Sequence, residues 1–255
     1  MSPSKDLLGK HVVITGGGSG VGAALARVFA ARGAHLSLLG RRLDPLEEIA
    51  AETGATPLIC DVTDAKVVQD ALNQARVQNG PVAVAIANAG AAPSKPFAKM
   101  DLADFEAALS VNLSGVFNLW QAVLPDMKTA GWGRMIAVAS TAGLKGYPYV
   151  SGYCAAKHGV LGLTRALAQE LACTGITVNA LCPGFIDTPL LERSIRTIVS
   201  TTGMSEEQAA KSLRAGNPQG RFIQPEEVAE AALYLAGSAA ASINGSALPI
   251  TGGEI

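Results

Sequence analysis

The chain has 255 residues, 49% hydrophobic and only 16% charged, with 20 Lys+Arg against 21 Asp+Glu and a formal net charge of −1. This length allows one large domain or two small ones, and the apolar excess points to a large core with further apolar surface covered in an oligomer. With no long basic or acidic run, neither nucleic acid nor an anionic membrane surface is an expected partner.

The opening MSPSKDLLGK has no apolar run of signal-peptide length, and no stretch approaches 18 consecutive apolar residues, so no membrane span is expected. HVVITG (11–16) reads as a strand, followed by a helix over about 21–32 that stops at Gly33. HLSLLG (35–40) is a second strand, and the next helix starts near Pro45, with Asp44 as N-cap and Pro45 at the first helical position. PLICDV (57–62) is a third strand, and Asp64 is placed to cap a helix running to about Gln78. VAVAIANAG (82–90) is a buried strand, and a helix is predicted over about 101–123. RMIAVAS (134–140) and ITVNALCPG (176–184) are two more strands with the SGYCAAKHG helix between them. A late helix over 225–236 precedes a short strand, ALPIT (247–251). Alternating strands and helices, with the strands continuously apolar, predict a single α/β domain: a doubly wound parallel sheet of about seven strands with helices on both faces. The least regular region, 185–222, follows the carboxyl end of a strand and is placed to cover a ligand crevice.

The four cysteines (Cys60, Cys154, Cys173, Cys182) form no C-x-x-C pair, and the chain holds only three histidines. No metal site and no disulfide framework is expected, and reduced thiols in a cytoplasmic protein fit this usage.

Three stretches carry chemistry. TGGGSGVG (15–22) joins the first strand to the first helix. Glycines there let the backbone turn tightly and approach a pyrophosphate, while the helix N-terminus supplies N–H donors. Gly16, Gly20 and Gly22 fit G-x-x-x-G-x-G better than Gly18, Gly20 and Ala23 fit G-x-G-x-x-A; a tight turn without ligand is the plainer alternative. The second strand ends in LLGRR, so Arg41 and Arg42 stand where an NAD site usually places an acid for the ribose. A guanidinium suits a 2′-phosphate by charge and by its forked donors, which favours NADP(H) and leaves NAD(H) open; two solvated arginines are the alternative. Finally, Tyr153 and Lys157 are four apart and share a helix face, either as a reacting pair or as a half-buried phenol beside a lysine reaching for water.

Taken together these motifs identify the chain as a member of the short-chain dehydrogenase/reductases, which it resembles along essentially its whole length. T-G-x-x-x-G-x-G is matched by Thr15 to Gly22, N-A-G by Asn88, Ala89 and Gly90, and the helix asparagine by Asn112. The serine thirteen residues before the tyrosine is Ser140, Y-x-x-x-K is Tyr153 and Lys157, and P-G with its following threonine is Pro183, Gly184 and Thr188. Ala87, where a second asparagine is common, is one departure. The resemblance implies a Rossmann-like fold and a homotetramer, with helices 161–171 and 227–235 and the last strand as contacts. It places the dinucleotide on Gly16, Ser19, Gly20, Val21, Gly22, Asp61, Val62, Asn88, Ala89, Gly90, Pro183, Gly184, Ile186 and Thr188, besides Tyr153 and Lys157. For Asp61 a helix-entry cap is the alternative.

By the same resemblance Tyr153 is general acid in reduction and base in oxidation. Lys157 lowers its pKa and holds the nicotinamide ribose, Ser140 bonds the substrate oxygen, and Asn112 helps hold a water that relays protons to Lys157. Ser140 ending a strand and Asn112 interrupting a helix are the plainer alternatives. His158 and Cys154, on other faces of that helix, read as structural. GITVNALCPGFIDTPLLE and GRFIQPEEVAEAALYLAG further resemble β-ketoacyl reductases, aromatic polyketide ketoreductases among them. This implies a small-molecule substrate, a 3-oxoacyl group carried on CoA or acyl carrier protein, or the reverse oxidation of a 3-hydroxyacyl-CoA. The lid would be 185–222, with Leu190, Leu191, Ile195 and Ile198 lining the acyl pocket or packing on themselves. Arg193 and Arg196 would meet carrier phosphates or stay solvated. An alcohol, polyol or aryl-alcohol dehydrogenase, and a nucleotide-sensing binding protein without catalysis, are the rival readings.

Overall fold

A computed structural model describes residues 7–255; residues 1–6, most of the segment read above as lacking a signal peptide, lie outside it. The described residues form a seven-stranded parallel sheet in the order β3-β2-β1-β4-β5-β6-β7. The strands are β1 (His11–Thr15), β2 (His35–Gly40), β3 (Thr56–Ile59), β4 (Val82–Ala87), β5 (Gly133–Val138), β6 (Ile176–Pro183) and β7 (Ala247–Ile250). β1 pairs with β2 on one side and β4 on the other, so the winding reverses between β1 and β4. Because every pairing is parallel, the carboxyl ends of all the strands open on one edge, and a ligand crevice belongs at the reversal.

The strands are apolar throughout because both faces are covered. Val13, Leu39, Ala85, Met135, Ala137 and Val178 turn towards one core with Leu72, Trp120, Val123 and Val160. These helix residues come from α3 (Ala65–Asn79), α5 (Gly115–Ala130) and α6 (Ser151–Glu170). Val12, Ile14, Leu38, Ile86, Ile136 and Leu181 turn the other way, to Leu25, Phe29, Leu46, Ile49 and Val228. Those belong to α1 (Gly20–Ala30), α2 (Leu43–Thr53) and α9 (Pro225–Ala236). Period-two alternation within continuously apolar strands thus builds two cores at once.

Local signals explain most boundaries. Asp64 caps α3 as expected, its Oδ1 accepting from Lys66 N at 2.8 Å and Val67 N at 3.1 Å, and Gly80 ends the helix at φ 76°. The start of α2 differs: the N-cap is Arg42, and Asp44 and Pro45 both lie inside the first turn. That turn's N–H groups have no partners within the helix, so proline fits at more than its first position. β3 stops at Ile59, and Cys60, Asp61 and Val62 leave the sheet as a turn.

The helix predicted over 101–123 is α4 (Leu102–Leu109), a wider π-type turn at Ser110–Ser114, and α5, which runs through Pro125 to Ala130. Leu102–Ala130 is long and apolar enough to cross a membrane by length and composition. It is a core helix all the same, burying Val116, Leu119, Trp120, Val123 and Met127 on the sheet. The region read as irregular, 185–222, holds two amphipathic helices, α7 (Pro189–Thr202) and α8 (Glu206–Arg214). Pro189 at the start of α7, Gly203 at its end (φ 72°) and the Ser205–Gln208 capping box of α8 fix their limits.

Candidate active site

The glycine loop leaves β1 at the winding reversal. Gly16 holds φ 66°, and a Cβ there would stand 3.0 Å from Asn88 Nδ2 and 3.1 Å from Ala89 Cα. At Gly22 a Cβ would lie 2.0 Å from the carbonyl oxygen of Gly16, so only glycine lets α1 begin this close to the strand end. The loop is laced to the next strand. Thr15 Oγ1 accepts from the backbone N–H of Asn88 (3.0 Å) and of Ala89 (3.1 Å). Asn88 Nδ2 donates to the carbonyls of Thr15 (2.9 Å) and Gly16 (3.2 Å). Ser19 is the N-cap of α1, its hydroxyl makes no capping bond, and the first turn carries no acid. Ser19, Gly20 and Val21 therefore present an open helix N-terminus to the crevice, a setting for a phosphate.

At the outer end, the side chains of Arg41 and Arg42 are exposed, and among the described residues neither forms an ion pair. Asp61 Oδ1 accepts from the backbone N–H (3.0 Å) and hydroxyl (2.8 Å) of Thr63. Those bonds, with Arg41 nearby, hold its carboxyl below the usual range. Asp61 thus closes its own turn, and the helix cap is Asp64. Val62 is buried and its carbonyl accepts from Asn118 Nδ2 at 2.8 Å.

Tyr153 and Lys157 lie one turn apart on α6, both turned towards the carboxyl ends of β5 and β6. Lys157 is 3% exposed, and its Nζ donates to the Val138 carbonyl at 2.9 Å and stands 5.5 Å from the centre of the Tyr153 ring. Burial lowers the ammonium from 10.5 to about 8. It raises the phenol to about 12, against a hydrogen bond with the Ser140 hydroxyl that pulls the other way. The phenol thus moves opposite to the lowering expected from Lys157: desolvation of the phenolate dominates, and the lowering influence on it is the Ser140 hydrogen bond. Ser140 Oγ also accepts from Ala142 N at 3.1 Å, capping the short turn after β5, so its hydroxyl serves two groups.

Asn112 sits fully buried in the π-type turn. Its Oδ1 accepts from Ala91 N (3.1 Å), and its Nδ2 donates to Ala91 O (2.8 Å) and Ala108 O (3.0 Å). The amide thus ties the π-type turn both to the preceding turn of the helix and to the Ala91 loop. Asn112 therefore clamps the loop that follows Asn88–Gly90. His158 bonds the Cys154 carbonyl through Nδ1 (2.9 Å) on an exposed face, as a structural histidine does. Cys154 is half-buried, and Cys60 and Cys182 are buried with thiols pushed up to about 11.

A crevice of about 200 Å³ joins these groups: Gly16, Ser19, Gly20, Val21, Asn88, Ala89 and Gly90 on one side, with Tyr153, Lys157, Pro183, Ile186 and Thr188 on the other. Gly22, Gly184, Ser140 and Asn112 stand behind this lining, and Arg41, Arg42, Asp61 and Val62 lie beyond it. Leu190 and Arg193 of α7 also line the crevice, whereas Leu191 packs inside and Arg196 pairs with Glu192 at 3.8 Å. The structural importance of Thr15 and Asn88 exceeds what their motif positions suggest. A glycine cradle that a Cβ would fill, a helix N-terminus free of acid and a buried ammonium at the far end suit an extended, diphosphate-bearing dinucleotide. No cluster of metal-ligating side chains occurs among the described residues.

A family model described as short chain dehydrogenase matches residues 10–198. The chain is 37% identical over 252 residues to a D-beta-hydroxybutyrate dehydrogenase of Rhizobium meliloti (strain 1021), covering 96% of this chain and 98% of that one. It is 39% identical over 249 residues to the monensin polyketide synthase putative ketoacyl reductase of Streptomyces virginiae, covering 94% and 95%. Among solved structures, a single-residue variant of actinorhodin polyketide ketoreductase with NADPH superposes with a TM-score of 0.93 at 34% identity, over 98% of each chain.

Proposed function

This chain belongs to the short-chain dehydrogenase family and is an oxidoreductase of CH–OH groups; on that premise we propose that it reduces the 3-oxo group of an acyl thioester with NADP(H). The observation that carries the reading is the Ser140–Tyr153–Lys157 arrangement at one end of a crevice whose other end is the glycine cradle. Two relatives act at the same carbon by name, a D-beta-hydroxybutyrate dehydrogenase and a 3-oxoacyl-[acyl-carrier-protein] reductase of Thermotoga maritima.

The dinucleotide, when bound, supplies or accepts the hydride. Everything else falls to the chain. Ser140 donates a hydrogen bond to the substrate oxygen, and Tyr153 hands it the proton as charge builds there. With its pKa raised to about 12, the phenol is protonated at neutral pH, as its role as acid in the reduction requires. Lys157 is mostly charged at pH 7 and stabilises the phenolate as the proton leaves. Asn112 keeps the backbone at Ala91 in place. Arg41 and Arg42, exposed and in no ion pair among the described residues, receive a 2′-phosphate; Arg42 is also the N-cap of a helix, where the dipole disfavours a cation and favours an added anion. Residues 185–222 act as the lid, with Leu190 and Ile186 against the acyl chain.

The test compares initial rates with acetoacetyl-CoA under NADPH and under NADH, for the wild type and for Tyr153→Phe. NADPH turnover at least about tenfold faster than with NADH is expected, and Tyr153→Phe should lose about 10²–10⁴-fold in kcat while binding NADPH normally. Equal rates with both nucleotides would remove the arginine argument, and an active Tyr153→Phe would remove the proton-donor assignment.

A further inference from the structure

The segment after β7 brings a buried carboxylate to the substrate end of the site. The Glu254 side chain is 5% exposed. Its Oε1 accepts from the Tyr147 phenol at 2.6 Å and from Lys145 Nζ at 2.9 Å. The Tyr147 oxygen in turn accepts from the Thr141 hydroxyl at 2.7 Å, and Thr141 follows Ser140 directly. The Tyr147 ring meets Phe185 edge-on, with centroids 6.1 Å apart, just ahead of Ile186 in the crevice wall.

Two glycines make room for the carboxylate. A Cβ at Gly184 would stand 3.1 Å from Oε2, and one at Gly216 would stand 3.0 Å from Oε1. Glu254 therefore sits where three segments meet: the loop from β5 to α6, the chain leaving β6, and the end of α8. Burying a carboxylate is costly unless it is paired, and this one holds both a phenol and an ammonium. Burial and the carboxylate together push the Tyr147 phenol up, so it remains a donor. Lys145, Tyr147 and Glu254 are all absent from the crevice lining, and the proton transfer uses none of them.

We infer that Glu254 is a positioning residue for the substrate wall. Through Tyr147 and Thr141 it fixes the loop that begins at Ser140, and against Gly184 and Gly216 it fixes the start of the lid and the turn after α8. The inference rests on Ser140 and Tyr153 being the reacting pair. It places a substrate-binding determinant about 70 residues beyond the last motif position, at Thr188.

The test uses the full chain with Glu254→Ala, Glu254→Gln, Tyr147→Phe and the Ala/Phe double variant. Hydrogen exchange over residues 141–149 should quicken on the order of tenfold in Glu254→Ala, as expected for loss of a charge-assisted hydrogen bond. KM for acetoacetyl-CoA should rise about tenfold with kcat and the Kd for NADPH nearly unchanged. Glu254→Gln keeps an acceptor for the phenol and should restore most of both, and the double variant should be no worse than the poorer single one. Wild-type exchange and KM in Glu254→Ala, additive losses in the double variant, or a parallel fall in NADPH affinity would each overturn the inference. If the wild type does not reduce acetoacetyl-CoA, the substrate reading fails, and the exchange of 141–149 still decides whether Glu254 anchors the loop.

Discussion

Lys157 is held at a cost to stability, and the cost can be measured. Its ammonium is 3% exposed, and burial lowers its pKa from 10.5 to about 8. The unfolded chain therefore binds the proton more tightly than the folded one. Stability is penalised fully below pH 8 and recovers as pH rises from 8 to 10.5. At about 1.4 kcal/mol per pKa unit, the penalty at pH 7 is about 3 kcal/mol. Lys157→Met removes the charge at similar length but leaves the Val138 carbonyl without its donor, which costs about 1 kcal/mol. The net gain at pH 7 is then about 2 kcal/mol, or a Tm rise of about 4–8 °C for a chain of this size. By pH 9.5 the charge penalty has fallen to about 1 kcal/mol, so the two proteins should melt together. Thermal unfolding followed by circular dichroism at about pH 7 and about pH 9.5 reads both points. A Lys157→Met protein that melts below the wild type at the lower pH, or keeps the same advantage at the higher one, would refute the reasoning. Turnover should be lost at either pH.

Asn112→Ala removes the side-chain partner of three backbone groups, one buried and two half-buried, and should cost about 2–4 kcal/mol, seen as a Tm lower by about 4–16 °C; a shift under about 2 °C would mean that the clamp contributes nothing. Gly22→Ala puts a methyl 2.0 Å from a backbone oxygen that cannot swing away, so the loop must move. Its Kd for NADPH should rise at least about tenfold in an equilibrium fluorescence titration, with the overpacking costing about 1–3 kcal/mol of stability, and unchanged affinity would contradict the described loop geometry.

Much of the architecture is legible because the strands are apolar on both sides and the chain alternates them with helices. The pairing of Tyr153 with Lys157 is legible because four residues is one helical turn, and Asp64 because an aspartate before a helix has one obvious job. Other features depend on neighbours far along the chain. The α7 segment reads as irregular because PLLERSIRTIVSTT is rich in β-branched and hydroxyl residues, which favour helices weakly, although Pro189 and Gly203 mark its ends. The direction in which the Tyr153 phenol shifts depends on how completely the site is covered, which spacing does not reveal. Asn112 is placed in the site by its motif, but its clamp on Ala91 needs the loop 21 residues earlier to arrive beside it. Glu254 carries no local signal at all: its partners are at positions 145 and 147, and its room comes from Gly216 and from Gly184, whose motif points to the dinucleotide rather than to a carboxylate.

The lacing of Thr15 to Asn88 and Ala89 has a consequence for how such a protein can change. One hydroxyl and one amide join the loop that leaves β1 to the loop that leaves β4, so a substitution in either disturbs both. Arg41 and Arg42 hang from β2, and Asp61 from the chain leaving β3, outside that lacing. On the proposed assignment of these residues to the nucleotide, its choice is a separable trait, open to drift or redesign at the outer strands. The inner pair of loops is inherited as a unit.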